Sequence, residues 1–150
     1  MRALLQRVSR ATVSFDHNEP RSIGRGFVVL LGVCHEDESA DAVWLARKCA
    51  ALRLFEDDSG ERALNLLEIG GEALVVSQFT LFASTRKGTK PSYHRAAAPP
   101  VAEPLYREFV ECLRSEGIGQ IQTGEFGALM RVDLVNDGPV TLLIDSKAKE

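Results

Sequence analysis

Three stretches hold the residues whose types and spacing could do chemistry. The first is "SQFTL", Ser77 to Leu81, which sets polar side chains directly after the apolar run "ALVV". A strand buried on both faces would stay apolar, and polar residues such as Ser77, Gln78 and Thr80 at a strand's carboxyl end, running into a long loop, are a common place for a site. On a continuing strand Ser77 and Phe79 would share one face, and Gln78 and Thr80 the other. The competing, purely structural reading is that Gln78 and Thr80 satisfy each other. The second stretch is Ser84 to Ala97, which carries Arg86, Lys87, Lys90, Tyr93, His94 and Arg95 and no acidic residue. Basic charge with an aromatic ring suits a phosphate backbone and a stacked base. A solvated loop is the bland alternative. The third is "VNDGPVT", residues 135 to 141. Gly138 and Pro139 read either as turn punctuation or as an X–Pro bond used for its shape, since cis peptides occur almost only before proline.

The usual side-chain machines are missing. No GxGxxG follows a strand, "RKGTK" lacks the upstream glycine of a P-loop, and neither HExxH nor GxSxG occurs. His17, His35 and His94 are scattered, and Cys34, Cys49 and Cys112 form no CxxC, so neither a metal nor a cofactor is expected. Cys34 precedes His35, but neighbours on a strand point to opposite faces, which favours a core cysteine over a nucleophile.

The elements that must position these stretches follow from periodicity. The chain has 150 residues, 45% of them hydrophobic and 26% charged, which suits one domain spanning 1–150 with a core of its own. Residues 2 to 15, 27 to 34 ("FVVLLGVC") and 72 to 82 ("EALVVSQFTLF") read as strands. Between them "DHNEPRSIGRG" and "DDSGERALN" read as turns. A first helix is expected after Ser39 as N-cap, with Ala42, Leu45, Ala46 and Cys49 on one face. A second is expected after Pro104, with Leu105, Phe109, Cys112 and Leu113 inward and Gly117 as its stop. "IQTGEFGALMRVDLV" and "PVTLLIDS" read as closing strands beside the opening one. The fold class expected is α/β: a mixed or antiparallel sheet covered by two main helices. Net charge is −3 and the sequence pI about 5.7, which excludes a generally basic coat but not a local basic patch. No run approaches the roughly 20 apolar residues of a membrane span, and no signal-peptide segment is present, so a soluble cytoplasmic protein is expected.

"SQFTL" and "NDGPVT" together resemble the two signature motifs of the D-aminoacyl-tRNA deacylases, the second in the pattern N-x-G-P-V-T with Asp137 at the free position. "LLQRVSRATV" (4 to 13) and "TGEFGALM" (123 to 130) are similar to that family too, and the resemblance covers essentially the whole chain. It implies a homodimeric enzyme, without cofactor, that hydrolyses the ester between a D-amino acid and the 3′-terminal adenosine of tRNA. It implies that Ser77, Gln78, Phe79 and Thr80 line the catalytic site, and that Gly138 and Pro139, joined by a cis bond, enter the site of the other subunit to select chirality. Arg7 would brace that pair and Met130 would close part of the adenosine pocket. Arg86, Lys87, Lys90 and Arg95 are candidates for tRNA contact by charge alone.

The implied device makes physical sense. Hydrophobic pockets separate similar groups by only about 1–3 kcal/mol per methylene. A rigid main-chain wall in the volume that an L side chain needs rejects one enantiomer without recognising any particular side chain. Glycine would pass such a wall. For the chemistry, Thr80 is the side-chain nucleophile candidate, yet no His or carboxylate adjoins it in sequence. Backbone N–H groups near Phe79 and Thr80 could instead hold the oxyanion, with the 2′-OH of the tRNA helping to activate water. The family resemblance favours the second route. Two other readings stand beside it: an RNA-binding module without catalysis, and a small-molecule sensor dimer using the Gly138–Pro139 turn structurally.

Overall fold

The structure, a computed structural model, describes residues 1–149. The strands are β1 (Arg2–Ser14), β2 (Arg21–Ile23), β3 (Gly26–Gly32), β4 (Phe55–Glu56), β5 (Arg62–Leu64), β6 (Glu72–Ser77), β7 (Ile121–Thr123) and β8 (Arg131–Asp145). Two helices, α1 (Ser39–Ala51) and α2 (Pro99–Ser115), and one 3₁₀ turn (Phe79–Phe82) complete the elements. The main sheet runs β2-β1-β3-β6-β7, with β8 on the other edge of β1. β3–β6 and β6–β7 are parallel, and the pairings of β1 are antiparallel, so the sheet is mixed, as expected. β4 and β5 form a small hairpin, with β5 inside the stretch "DDSGERALN" read as a turn and β4 just before it.

Side-chain alternation divides the core. Ala3 and Leu5 of β1, Phe27, Val29 and Leu31 of β3, and Ala73 and Val75 of β6 pack with Leu45 and Cys49 of α1 and Phe109 and Leu113 of α2. Val28, Leu74 and Val76 point to the opposite face and join Val8, Ala11, Val13 and Ile23. Strict alternation along β1 would send Val8 and Ala11 to different faces. The ladder steps from Val8↔Asn136 to Arg10↔Val135, so an extra residue in β1 resets the phase and puts both in one cluster. Among the described residues no helix is long and apolar enough to cross a membrane.

Four local expectations are corrected. β6 ends at Ser77, and the chain then winds into the 3₁₀ turn rather than continuing as strand to Phe82. α1 is capped at Glu38 instead of Ser39: the Asp41 carboxylate accepts from the Glu38 N–H at 2.9 Å. α2 begins at Pro99, five residues before Pro104. Proline lacks only a donor that has no partner in a helix's first turn, so Pro99 and Pro100 start a helix as readily as they end a loop. Finally, residues 131 to 145 form one strand, not two strands about a turn.

Candidate active site

A cleft of about 680 Å³ opens at the carboxyl end of β6. Ser77, Gln78, Phe79 and Met130 line it together. The switch from strand to 3₁₀ turn achieves this, because the tighter winding brings three successive side chains to one place where alternation would have split them. Thr80 is not in the lining; its Oγ1 accepts a hydrogen bond from Gln78 Nε2. The structural pairing weighed above is therefore present. The N–H groups of Gln78 and Leu81 donate to the carbonyls of Leu31 and Gln78. Those of Phe79 and Thr80 open the turn and have no acceptor among the described residues, as expected for a helix's first donors.

The other walls are mostly apolar, among them Val33, Ala97, Ala102, Phe126 and Leu129, with Tyr93 at the basic loop. The Met130 side chain lies over Gly124, where an added Cβ would sit 2.6 Å from its Sδ. Phe126 stands 6.0 Å from the ring of Tyr106, whose hydroxyl donates to the Val75 carbonyl at 2.8 Å. Burial pushes the Tyr106 phenol up to about 12, so it stays protonated and holds that bond. Among the described residues lining the cleft there is no carboxylate, imidazole or thiol. Cys34 lies just outside it, buried, and burial first, with Glu36 and Asp37 beside it, pushes its thiol up to about 11.

"VNDGPVT" is neither a hairpin turn nor ladder. Gln6 pairs with Thr141 and Val8 with Asn136, so Asp137 to Val140 leave the β1–β8 ladder as an excursion. Gly138 and Pro139 are exposed at its tip, and the bond between them is cis. Gly138 has φ of 141°, and a Cβ there would meet Val140 atoms at 2.8 Å, so only glycine fits. Arg7 is buried: its Nε donates to the Asp137 carbonyl at 2.9 Å and its Nη1 to the Leu54 carbonyl at 2.6 Å. Within one chain, Gly138 and Pro139 are not among the residues lining the cleft.

The basic loop is pinned at its base by Ser84 and Ser92, whose N–H groups donate to each other's carbonyls at 2.7 and 2.9 Å. Arg86, Lys87 and Lys90 are exposed within it, and the Arg95 guanidinium lies 5.7 Å from the centroid of the Phe82 ring. Sequence reasoning missed Phe126 as a wall, Leu54 as an anchor for Arg7, and Asn136. Phe126 sits inside "TGEFGALM", and its aromatic ring among small residues was the available signal. Nothing local marks Leu54, because only its carbonyl acts.

The profile of the family described as D-Tyr-tRNA(Tyr) deacylase matches residues 4–145. A relative from Opitutus terrae named D-aminoacyl-tRNA deacylase is 55% identical over 150 residues, the whole of both chains. One of the same name from Thermomicrobium roseum is 55% identical over 146 residues, 97% of this chain and 94% of the relative. Among solved structures, one described as c-Myc DNA Unwinding Element Binding Protein superposes with a TM-score of 0.92 at 42% identity, covering 99% of this chain and 100% of that one. A probable eukaryotic D-amino acid tRNA deacylase superposes with a TM-score of 0.82 at 17% identity, over 95% and 97% of the two chains, which is a likeness of fold.

Proposed function

The chain belongs to the D-Tyr-tRNA(Tyr) deacylase family, and from that premise we propose that it hydrolyses the ester of D-aminoacyl-tRNA to free D-amino acid and tRNA. The observation that carries the reading is the cleft itself: Ser77, Gln78 and Phe79 of one signature motif meet Met130 in a largely apolar space that suits an amino-acid side chain and an adenine. With no carboxylate, imidazole or thiol among the described lining residues, catalysis falls to main chain and substrate. The free N–H groups of Phe79 and Thr80 suit the oxyanion of the tetrahedral intermediate. The neighbouring 2′-OH of the terminal ribose then assists water. An ester is reactive enough that positioning and charge stabilisation suffice.

Chiral selection, in this reading, comes from a second copy of the chain. The excursion bearing Gly138 and Pro139 enters the partner's cleft and occupies the volume of an L side chain. Two features support a homodimer. Among the described residues β8 pairs only with β1, leaving its outer edge open, and Val132, Val135 and Leu143 on it are exposed. A protein acting on aminoacyl-tRNA in this way works in the cytoplasm. The test follows deacylation of D-tyrosyl-, L-tyrosyl- and glycyl-tRNA in parallel. Fast turnover of the first and third with retention of the second is expected. Equal rates for both tyrosyl enantiomers would remove the selective wall, and glycyl-tRNA as stable as the L ester would do the same.

A further inference from the structure

Phe79 and Tyr93 are 54% and 41% exposed, unusual for two large rings in contact. Their centroids lie 5.0 Å apart with the planes at 77°, an edge-to-face pair. Both line the cleft, one from the start of the 3₁₀ turn and the other from the residue after Ser92. Because Ser92 is tied to Ser84 in both directions, Tyr93 leaves a fixed bridge and not a free loop tip. The loop closed by that bridge presents Arg86, Lys87 and Lys90, in a chain whose net charge is −3.

We propose that Tyr93, backed by Phe79, is a stacking platform for the base immediately 5′ to the terminal adenosine, the last cytidine of the CCA end. The proposal rests on the ester-hydrolase reading, in which adenosine and aminoacyl group fill the cleft and the nucleic acid leaves by its mouth. Stacking on an exposed ring uses only the π-face of the base, so it accepts every tRNA alike. The phosphates beyond meet the cations of the same loop. The platform thereby separates the work of gripping the single-stranded end from the work of choosing the amino acid.

The experiment measures Kd for adenosine and for the dinucleotide CpA by calorimetry, and kcat/KM for their D-tyrosyl esters. The wild-type protein is expected to bind CpA about tenfold more tightly than adenosine. Tyr93→Leu should collapse that ratio to near one, whereas Tyr93→Phe should keep it. Wild-type Kd values equal for the two ligands would overturn the platform. So would a Tyr93→Leu protein that weakens both alike, because Tyr93 would then belong to the adenosine pocket. Absence of turnover on both esters would instead sink the hydrolase reading, and the Kd ratio would still decide the platform.

Discussion

The side-chain amide of Asn136 donates to the main-chain carbonyls of Arg7 and Val140, each at 2.9 Å. Those two bonds close the neck of the 137–140 excursion, while the Arg7 guanidinium reaches into its body at Asp137. Val140 is buried at the neck and Gly138 and Pro139 are exposed at the tip. An exposed main-chain tip is useful as a wall only if its base cannot rotate, and one asparagine and one arginine fix that base from both sides.

Asn136→Asp keeps the shape of the side chain and removes both donors, turning a carboxylate toward two carbonyl oxygens. The expected cost is about 1–3 kcal/mol of stability, read from the urea midpoint. The D-to-L ratio of kcat/KM on tyrosyl-tRNA should fall as well, since the tip loses its orientation. A variant with wild-type midpoint and wild-type ratio would show that ladder pairing alone holds the neck.

Thr80 tests the division of labour in the cleft. Its hydroxyl already accepts from Gln78 Nε2 and lies outside the cleft lining, whereas the Phe79 and Thr80 N–H groups are free. Thr80→Ala leaves both N–H groups in place, so kcat on D-tyrosyl-tRNA should stay within about tenfold of wild type. Side-chain proton transfer typically contributes about 10²–10⁴-fold. A loss of that size with an intact fold would assign the chemistry to the hydroxyl.

These relationships show what local pattern can and cannot reveal. β1, β3 and α1 were readable because Leu5, Val29 and Leu45 recur at the periods of strand and helix. "SQFTLF" was not, because its alternation of polar and apolar residues matches the period of a strand although the chain winds into a 3₁₀ turn there. Pro99 and Pro100 carry the same ambiguity between a loop's end and a helix's start. "NDGP" reads as a turn from composition, and only the long-range pairing of β8 with β1 makes it an excursion within a strand. Ser77, Gln78, Phe79 and Met130 were singled out from their motifs, and the structure brings the four together in one cleft. The role of Asn136 was hidden because its partners lie in Arg7 and Val140, one of them on another strand.

Cys34 separates chemistry from packing in a second way. Burial, chiefly, holds its thiol near 11, far above working pH, so the nucleophilic thiolate is scarce. Iodoacetamide at pH 8 should leave the native protein's Cys34 unmodified and label it after unfolding in urea. Cys34→Ala should retain deacylation within about twofold, its cost appearing as stability lost from the core. Abolished turnover in a folded Cys34→Ala protein would revive the thiol as a participant.

Asp41, in the first turn of α1, ties the stability of the fold to pH. Its carboxylate accepts from Lys147 Nζ at 2.7 Å and from the Glu38 N–H at 2.9 Å. Burial pushes this carboxyl up, but the bonds from Lys147, Glu38 and Ser146 outweigh it and bring it to about 2. The folded value lies below the roughly 3.9 of an unfolded aspartate. Its contribution is therefore fully present above about pH 4 and is lost as pH falls from there toward 2. Asp41→Asn keeps an acceptor for the Glu38 N–H and removes the charge facing Lys147. Urea denaturation should find this variant less stable than wild type at pH 7, with the gap narrowing steadily between pH 4 and 2. A gap that stays constant across that interval would mean that Asp41 contributes through packing and capping, and that its charge does nothing for the fold.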